Sequence, residues 1–207
     1  MPFIFHITHI SNLRKILKSG QLWCDNEKSK QGLEVKGIAH DHIKLRRQRR
    51  KVTAGKQEFV ADYVPFYFAE RSPMLCAIHN GRIENYTDGQ VPVIHLSSSV
   101  EKVVAANLPF VFTDGQAEMA TSRFFDDVNQ LNEIDWEIMR DKLWRDTAED
   151  GDRKRRRQAE FLVYNNFPVS LIGGIGVISE NIKTQVEETL SEMKIKMPVV
   201  VKRHWYY

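Results

Sequence analysis

Arg153-Lys-Arg-Arg-Arg-Gln-Ala-Glu160-Phe-Leu-Val-Tyr164 is the stretch that decides how the chain is read. Its second half, Phe161–Tyr164, is an unbroken apolar run of strand length, so a buried sheet passes through this point. Glu160 stands at the lip of that run, where desolvation and neighbouring charge tune a carboxylate. The five adjacent cations before it repel one another and add nothing to a core, so an anionic partner is expected to offset them. The stretch predicts a polyanion track at Arg153, Lys154, Arg155, Arg156 and Arg157, next to a functional carboxylate.

Outward from there, the N-terminal Phe3-Ile-Phe-His-Ile-Thr-His-Ile10 alternates apolar and polar residues, the pattern of a half-buried strand with His6 and Thr8 on one face. Ser11 as N-cap, Leu13, Ile16 and Leu17 at helical spacing and Gly20 as stop predict a helix, with a short strand at Leu22-Trp23. Ile38–Lys51 reads as a basic helix with a thin apolar face. It carries six cations within eight positions (Lys44, Arg46, Arg47, Arg49, Arg50 and Lys51), fitting either a solvated face or a phosphate-facing one. Tyr63–Ala69 reads as a buried aromatic strand. Ser72-Pro73 opens a short helix ending near Gly81, with its N-terminal amides aimed at the end of that strand. Strands are expected at Val91–Leu96, Pro109–Thr113, Pro168–Ile178 and Met197–Lys202, and helices at Ser98–Ala106 and Glu180–Met193. A long acidic amphipathic helix is expected over Val128–Leu143, and loop over Trp144–Arg157. This irregular mixture of strands and helices predicts an α+β or mixed α/β protein with a substantial sheet.

The 207 residues fit one domain spanning 1–207, and 42% hydrophobic with 28% charged residues describes a folded globular chain, not a disordered one. A net charge of +3 is too small to argue for nucleic acid by itself; the clustering of basic residues is the stronger signal. Cys24 and Cys76 have no metal spacing and read as thiols of a reducing cytoplasm. No signal peptide or membrane span is legible. The seven histidines match no zinc pattern, and His6 and His9 point to opposite strand faces, so no metal is expected. Gly-x-Ser-x-Gly and the phosphate-loop motif are missing, and Gly173-Gly174-Ile-Gly176 has the wrong spacing for a dinucleotide fingerprint.

What remains is a strand-borne His-x-Thr, an aromatic strand, a basic helix and one strand-initial Glu. That set suits cleavage of a glycosidic bond with a cationic leaving group such as nicotinamide. Such a group needs no acid to depart, and one carboxylate facing the ribose stabilises the oxocarbenium-like state.

The segments Phe5-His-Ile-Thr-His-Ile-Ser-Asn-Leu, Ile43-Lys-Leu-Arg-Arg, Asp62-Tyr-Val-Pro-Phe-Tyr-Phe-Ala-Glu-Arg-Ser-Pro-Met-Leu and Arg156-Arg-Gln-Ala-Glu-Phe-Leu-Val carry a more specific signal. Together with the terminal Trp-Tyr-Tyr, they resemble the DarT family of bacterial DNA ADP-ribosyltransferase toxins, which pair with macrodomain antitoxins called DarG. The resemblance implies an ADP-ribosyltransferase fold, a split mixed β-sheet with NAD in its cleft. It also implies transfer of ADP-ribose to a base of single-stranded DNA, thymine in the branch most resembled. Carried over by motif, the family's N-terminal His falls on His6 and its catalytic Glu on Glu160. Its catalytic Arg falls on Arg47 in the best-matching register, on Arg46 in the next and on Arg49 in a third. Thr8, Arg71, Ser72 and Met74 match positions expected to line the NAD site. Arg49, Arg50 and Lys51 join the Arg153–Arg157 run as expected DNA contacts. Two alternatives stay open: a noncatalytic nucleic-acid-binding module, and an ADP-ribosyltransferase acting on RNA or protein.

Overall fold

An eight-stranded sheet organises the chain, and its strand order explains how residues far apart in sequence meet. The computed structural model describes residues 1–207. Strands β1 (Phe3–His9), β2 (Gln21–Trp23), β3 (Tyr63–Tyr67), β4 (Val93–Ser99), β5 (Phe110–Thr113) and β6 (Phe124–Phe125) come first, followed by β7 (Glu160–Tyr164), β8 (Asn166–Pro168), β9 (Gly174–Val177) and β10 (Val199–Val201). The large sheet has the order β10-β9-β4-β1-β3-β7-β5-β6, parallel only at β10–β9, and β2 pairs with β8 in a separate ribbon. Helices α1 (Leu13–Ser19), α2 (Asp25–Lys30), α3 (Asp41–Arg49) and α4 (Pro73–His79) fall in the first half. Helices α5 (Val100–Ala105), α6 (Trp136–Arg140), α7 (Arg153–Arg156) and α8 (Glu180–Glu192) complete the set. The mixed α+β fold expected from the sequence is the fold found.

The sheet is divided at β1–β3. Strand β1 pairs with β4 along its whole length, from Phe3↔Ser99 to His9↔Val93, but it meets β3 only at Phe5↔Tyr67. On the far side β3 resumes full pairing with β7, where Tyr67 stands opposite Glu160. The two half-sheets thus part beyond Phe5, with His6 and Thr8 of β1 on one side and β3, backed by β7 and Glu160, on the other.

Local chemistry fixed the elements that were read correctly. Ser72 caps α4 by accepting from the Leu75 amide with Pro73 at the first turn, and Ser99 and Ser179 cap α5 and α8 in the same way. Alternation in β1 sends Ile4 into the main core while Ile7 enters a second cluster with Leu75, Ile78 and Tyr206. The Gly-rich run has a packing reason. A Cβ at Gly176 would lie 2.2 Å from the Trp205 ring, so glycine lets the C-terminal Trp-Tyr-Tyr fold back onto the sheet.

Two expectations are corrected. Val128–Leu143 is not one helix but a 3-10 segment (Val128–Glu133) followed by the short α6. Asp127 and Asp135 each accept from the backbone two and three residues on, so the second carboxylate starts a new helix where the first was expected to continue. The expected loop before Glu160 contains the single-turn α7, formed by the arginines themselves.

Candidate active site

Glu160 opens β7 between β3 and β5, and its side chain is buried at 4% exposure. A buried carboxylate needs a charged partner, and α3 provides it. Arg47, the one buried residue of that basic helix, donates from Nη1 to Glu160 Oε2 at 2.7 Å. The Ala117 amide donates to Oε1 at 3.0 Å, and the Glu160 backbone N–H is held by Thr113 Oγ1 at 3.1 Å. Burial lowers the pKa of the Arg47 guanidinium, but the Glu160 charge and hydrogen bond override that and leave it raised. Arg47 Nη2 is buried with no acceptor, an unfilled donor beside the carboxylate.

His6 faces the parting of the half-sheets. Its Nδ1 lies 2.8 Å from the Pro65 carbonyl. A carbonyl only accepts, so Nδ1 carries the proton and Nε2 keeps a free lone pair. Burial pushes His6 down to about 4 despite that hydrogen bond, so the ring is neutral near pH 7. Asp25 and Lys28 of α2 act electrostatically on His6, and Asp25 also acts on Arg47, which places α2 along the same cleft. Tyr67, raised above its ordinary range by burial and then by the Glu160 charge, completes the wall. Thr8 is buried and accepts from Asn12, whose amide also clamps the Lys36 backbone.

Desolvation of the imidazoles has a measurable consequence. His95, fully buried between Tyr206 and the Glu70 carbonyl, is also pushed down to about 4 by burial. Both folded values lie below the ordinary 6.5, so the unfolded chain binds more protons between those limits. Stability is therefore expected to fall as pH drops from about 6.5 towards about 4. Urea unfolding across that window checks this, and His95→Asn should flatten the slope whatever it does to the absolute level. A slope unchanged by that substitution refutes the assignment.

The remaining expected residues are placed differently. Of the three registers for the basic-helix arginine, only Arg47 reaches Glu160. Arg46 pairs through Nε with Glu118 at 2.6 Å, and Arg49 is exposed. Ser72 is committed to capping α4, and Met74 packs beside the Leu75–Tyr206 cluster. Arg71 lies 4.2 Å from the Tyr207 ring and lines a groove of about 1040 Å³ with Phe3, Phe5, Trp136 and Trp144, a lining that does not include Arg47 or Glu160.

The arginine run requires a correction. An external polyanion was expected to offset it, but the chain's own acids do so. Arg153 binds Asp141, Arg155 binds Asp114 and Asp152, and Arg156 binds Asp135 and Asp150. Arg157 is buried and donates to the Ile138, Met139 and Arg71 carbonyls. Lys154 alone in the run is exposed and free of ion pairs. On the basic helix and just after it, Arg49 and Lys51 are likewise exposed with no acid partner, while Arg50 is half-buried against Phe124 and the Ala120 and Ser122 carbonyls. Sequence reasoning missed Ala117, Thr113 and Asp25. The first acts through its backbone, and no side-chain pattern marks it.

A family model described as "ssDNA thymidine ADP-ribosyltransferase, DarT" matches residues 5–207. The chain belongs to the DarT family. By that membership it is a DNA ADP-ribosyltransferase. A Thermus sp. (strain 2.9) protein named DNA ADP-ribosyl transferase is 42% identical over 206 residues, covering 99% of this chain and 95% of the relative. A solved structure of Thermus sp. 2.9 DarT with ADP-ribosylated single-stranded DNA superposes with a TM-score of 0.93 at 41% identity, covering 100% of this chain and 96% of that one. The same Thermus DarT with NAD superposes at 0.90 with 38% identity, covering 100% and 98%. No helix of this DarT chain is long and apolar enough to cross a membrane, and no group of three or more His, Cys, Asp or Glu side chains converges as a metal site would require.

Proposed function

We propose that this chain transfers ADP-ribose from NAD to thymine in single-stranded DNA, as the cytoplasmic toxin of a toxin–antitoxin pair restrained by a DarG macrodomain. The observation that carries the reaction is the buried Glu160 carboxylate, fixed by Arg47 and the Ala117 amide where the half-sheets part. Thymine as acceptor is supported by the family description, and NAD and single-stranded DNA by the ligands of the Thermus relatives. The toxin role and the DarG partner rest on the family resemblance.

In this reading NAD lies in the parting with its nicotinamide ribose at Glu160. The C1′–N bond breaks, its electron pair leaves with neutral nicotinamide, and the carboxylate stabilises the positive charge growing on the ribose. The neutral His6 ring, with Nε2 unprotonated, accepts a hydrogen bond from a ribose hydroxyl, and Thr8 stands two residues along the same strand. A thymine nitrogen then forms the new C1′–N bond and gives up its proton to Glu160 or to water. Arg47, with one donor on Glu160 and Nη2 unfilled, favours the deprotonated base. Labelled NAD offered with single-stranded DNA, duplex DNA, RNA and protein tests the reading. Label on single-stranded DNA with nicotinamide release is expected. Label confined to RNA or protein overturns it, and DNA binding with no nicotinamide release leaves a noncatalytic module.

The inferred DNA track is narrower than the expected set. Arg49, Lys51 and Lys154 are the members of the expected set that are both exposed and without an acid partner. Each contact to a single-strand phosphate steepens the salt dependence of binding by about 0.7 in log–log slope, so replacing all three by Ala should reduce the slope by about 2. Oligonucleotide binding titrated against salt measures this. An unchanged slope places the phosphates elsewhere.

A further inference from the structure

Of the ion-paired arginines in the Arg153–Arg157 run, Arg155 is the most enclosed. Arg155 lies on α7, and its side chain is only 13% exposed. Its Nη1 donates to Asp114 at 3.0 Å and to Ser122 Oγ at 3.3 Å, while Nε and Nη2 both donate to Asp152 at 2.7 Å. Its backbone carbonyl accepts from the Gln116 amide at 3.1 Å. The guanidinium lies directly on Gly115, where an added Cβ would stand 2.3 Å from Nη1 and 2.9 Å from Cγ. Asp114 also accepts from the backbone N and Nε of Arg123, both at 2.9 Å, and Thr113 Oγ1 donates to the Gly115 carbonyl at 2.6 Å. Asp114, Gly115 and Gln116 are each tied down, and the next residue is Ala117, whose amide donates to Glu160.

We infer that Arg155, seated on Gly115, is a positioning residue for transfer: it fixes the Asp114–Ala117 turn so that the Ala117 amide holds Glu160 Oε1. A carboxylate has two oxygens that exchange by rotation about one bond. Arg47 holds Oε2, and the Ala117 amide pins Oε1 and sets the plane of the group. If the turn loosens, Glu160 keeps its charge and its Arg47 partner but loses its orientation towards the ribose. Misplacement by about 1 Å lowers a rate by on the order of 10²-fold. Arg155 has its donors engaged on Asp114, Asp152 and Ser122, so this role draws nothing from DNA phosphates. The inference rests on Glu160 acting at the ribose.

The test uses the full chain with Arg155→Ala, Gly115→Ala and the double variant. Steady-state kinetics, oligonucleotide affinity, melting temperature and amide hydrogen exchange at Ala117 are measured for each. Arg155→Ala is expected to lower kcat by about 10- to 100-fold with KM for the oligonucleotide little changed, and to speed exchange at Ala117. Gly115→Ala should act in the same direction while altering no charge, because its Cβ evicts the guanidinium. The double variant should be no slower than Arg155→Ala alone, since removing the arginine makes room for that Cβ. Unchanged kcat with weaker DNA binding and a shallower salt slope overturns the inference in favour of a phosphate contact. Fully additive losses, or a fall in kcat that follows only the folded fraction while Ala117 exchange stays as in the parent, overturn it in favour of plain structural support. If Glu160→Gln retains full transfer, the reading of Glu160 fails instead. In that case Ala117 exchange still reports whether Arg155 holds the turn.

Discussion

Glu160→Gln is expected to lower kcat for ADP-ribose transfer by at least about 10³-fold while leaving the chain folded and able to bind its oligonucleotide. The substitution keeps the shape and removes the charge that faces the growing oxocarbenium. It also disturbs a matched pair of donors. Arg47 Nη1 and the Ala117 amide each donate to one carboxylate oxygen, and a glutamine amide offers an acceptor to only one of them. The other donor then meets an N–H group, a mismatch worth about 1–3 kcal/mol of stability. A lowered unfolding midpoint with intact oligonucleotide binding is therefore part of the expected result. Nicotinamide release and label transfer, both followed at saturating NAD, separate the chemical loss from a binding loss. Transfer retained at the parent rate removes Glu160 from the mechanism.

What the sequence made legible was local. The strand through Phe161–Tyr164 and the Ser72-Pro73 cap of α4 are each encoded within a few residues, and the structure contains both. Strand β1 forms as well, but it is covered on both faces and not half-buried, since Ile4 and Ile7 enter different cores and Thr8 and His9 are also buried. The Arg47–Glu160 pair spans 113 positions. Periodicity cannot reach that far, which is why Arg46, Arg47 and Arg49 stood as alternatives until the fold brought one of them to the carboxylate. The internal pairing of the arginine run escaped for a different reason. Four of its five acid partners, Asp135, Asp141, Asp150 and Asp152, lie just upstream in sequence, and the fifth, Asp114, is brought to Arg155 only by the fold. Asp152 sits three residues before Arg155, the spacing at which side chains on one helical turn meet. The Val128–Leu143 segment failed because apolar spacing at Leu131, Ile134 and Ile138 satisfied a helix while Asp135 accepted the Ile138 amide and started a new turn. The Ala117 amide left no signal, since any residue carries one.

Arg47→Ala should destabilise the chain by about 3–5 kcal/mol, because it leaves the Glu160 carboxylate buried without its cation. Urea unfolding measures that loss, and the double variant with Glu160→Gln should recover part of it, since the uncompensated charge is then gone. A double variant no more stable than Arg47→Ala would mean that the pair is not coupled as its 2.7 Å contact requires. Because the alanine variant mixes folding with chemistry, Arg47→Lys isolates the chemistry. Lysine keeps the positive charge beside Glu160, but a guanidinium presents a rigid fork, with Nη1 on the carboxylate and Nη2 buried and open. One ammonium on a flexible stem cannot hold Glu160 in that geometry and face the incoming base as well. Arg47→Lys is expected to keep most of the stability and to lose about 10²-fold in kcat, with KM for NAD little affected. A raised pH at half-maximal rate would accompany that loss, because the thymine proton departs less readily without the second donor. Parent-like kcat in Arg47→Lys would reduce Arg47 to a counter-ion for Glu160 and move activation of the base to another group.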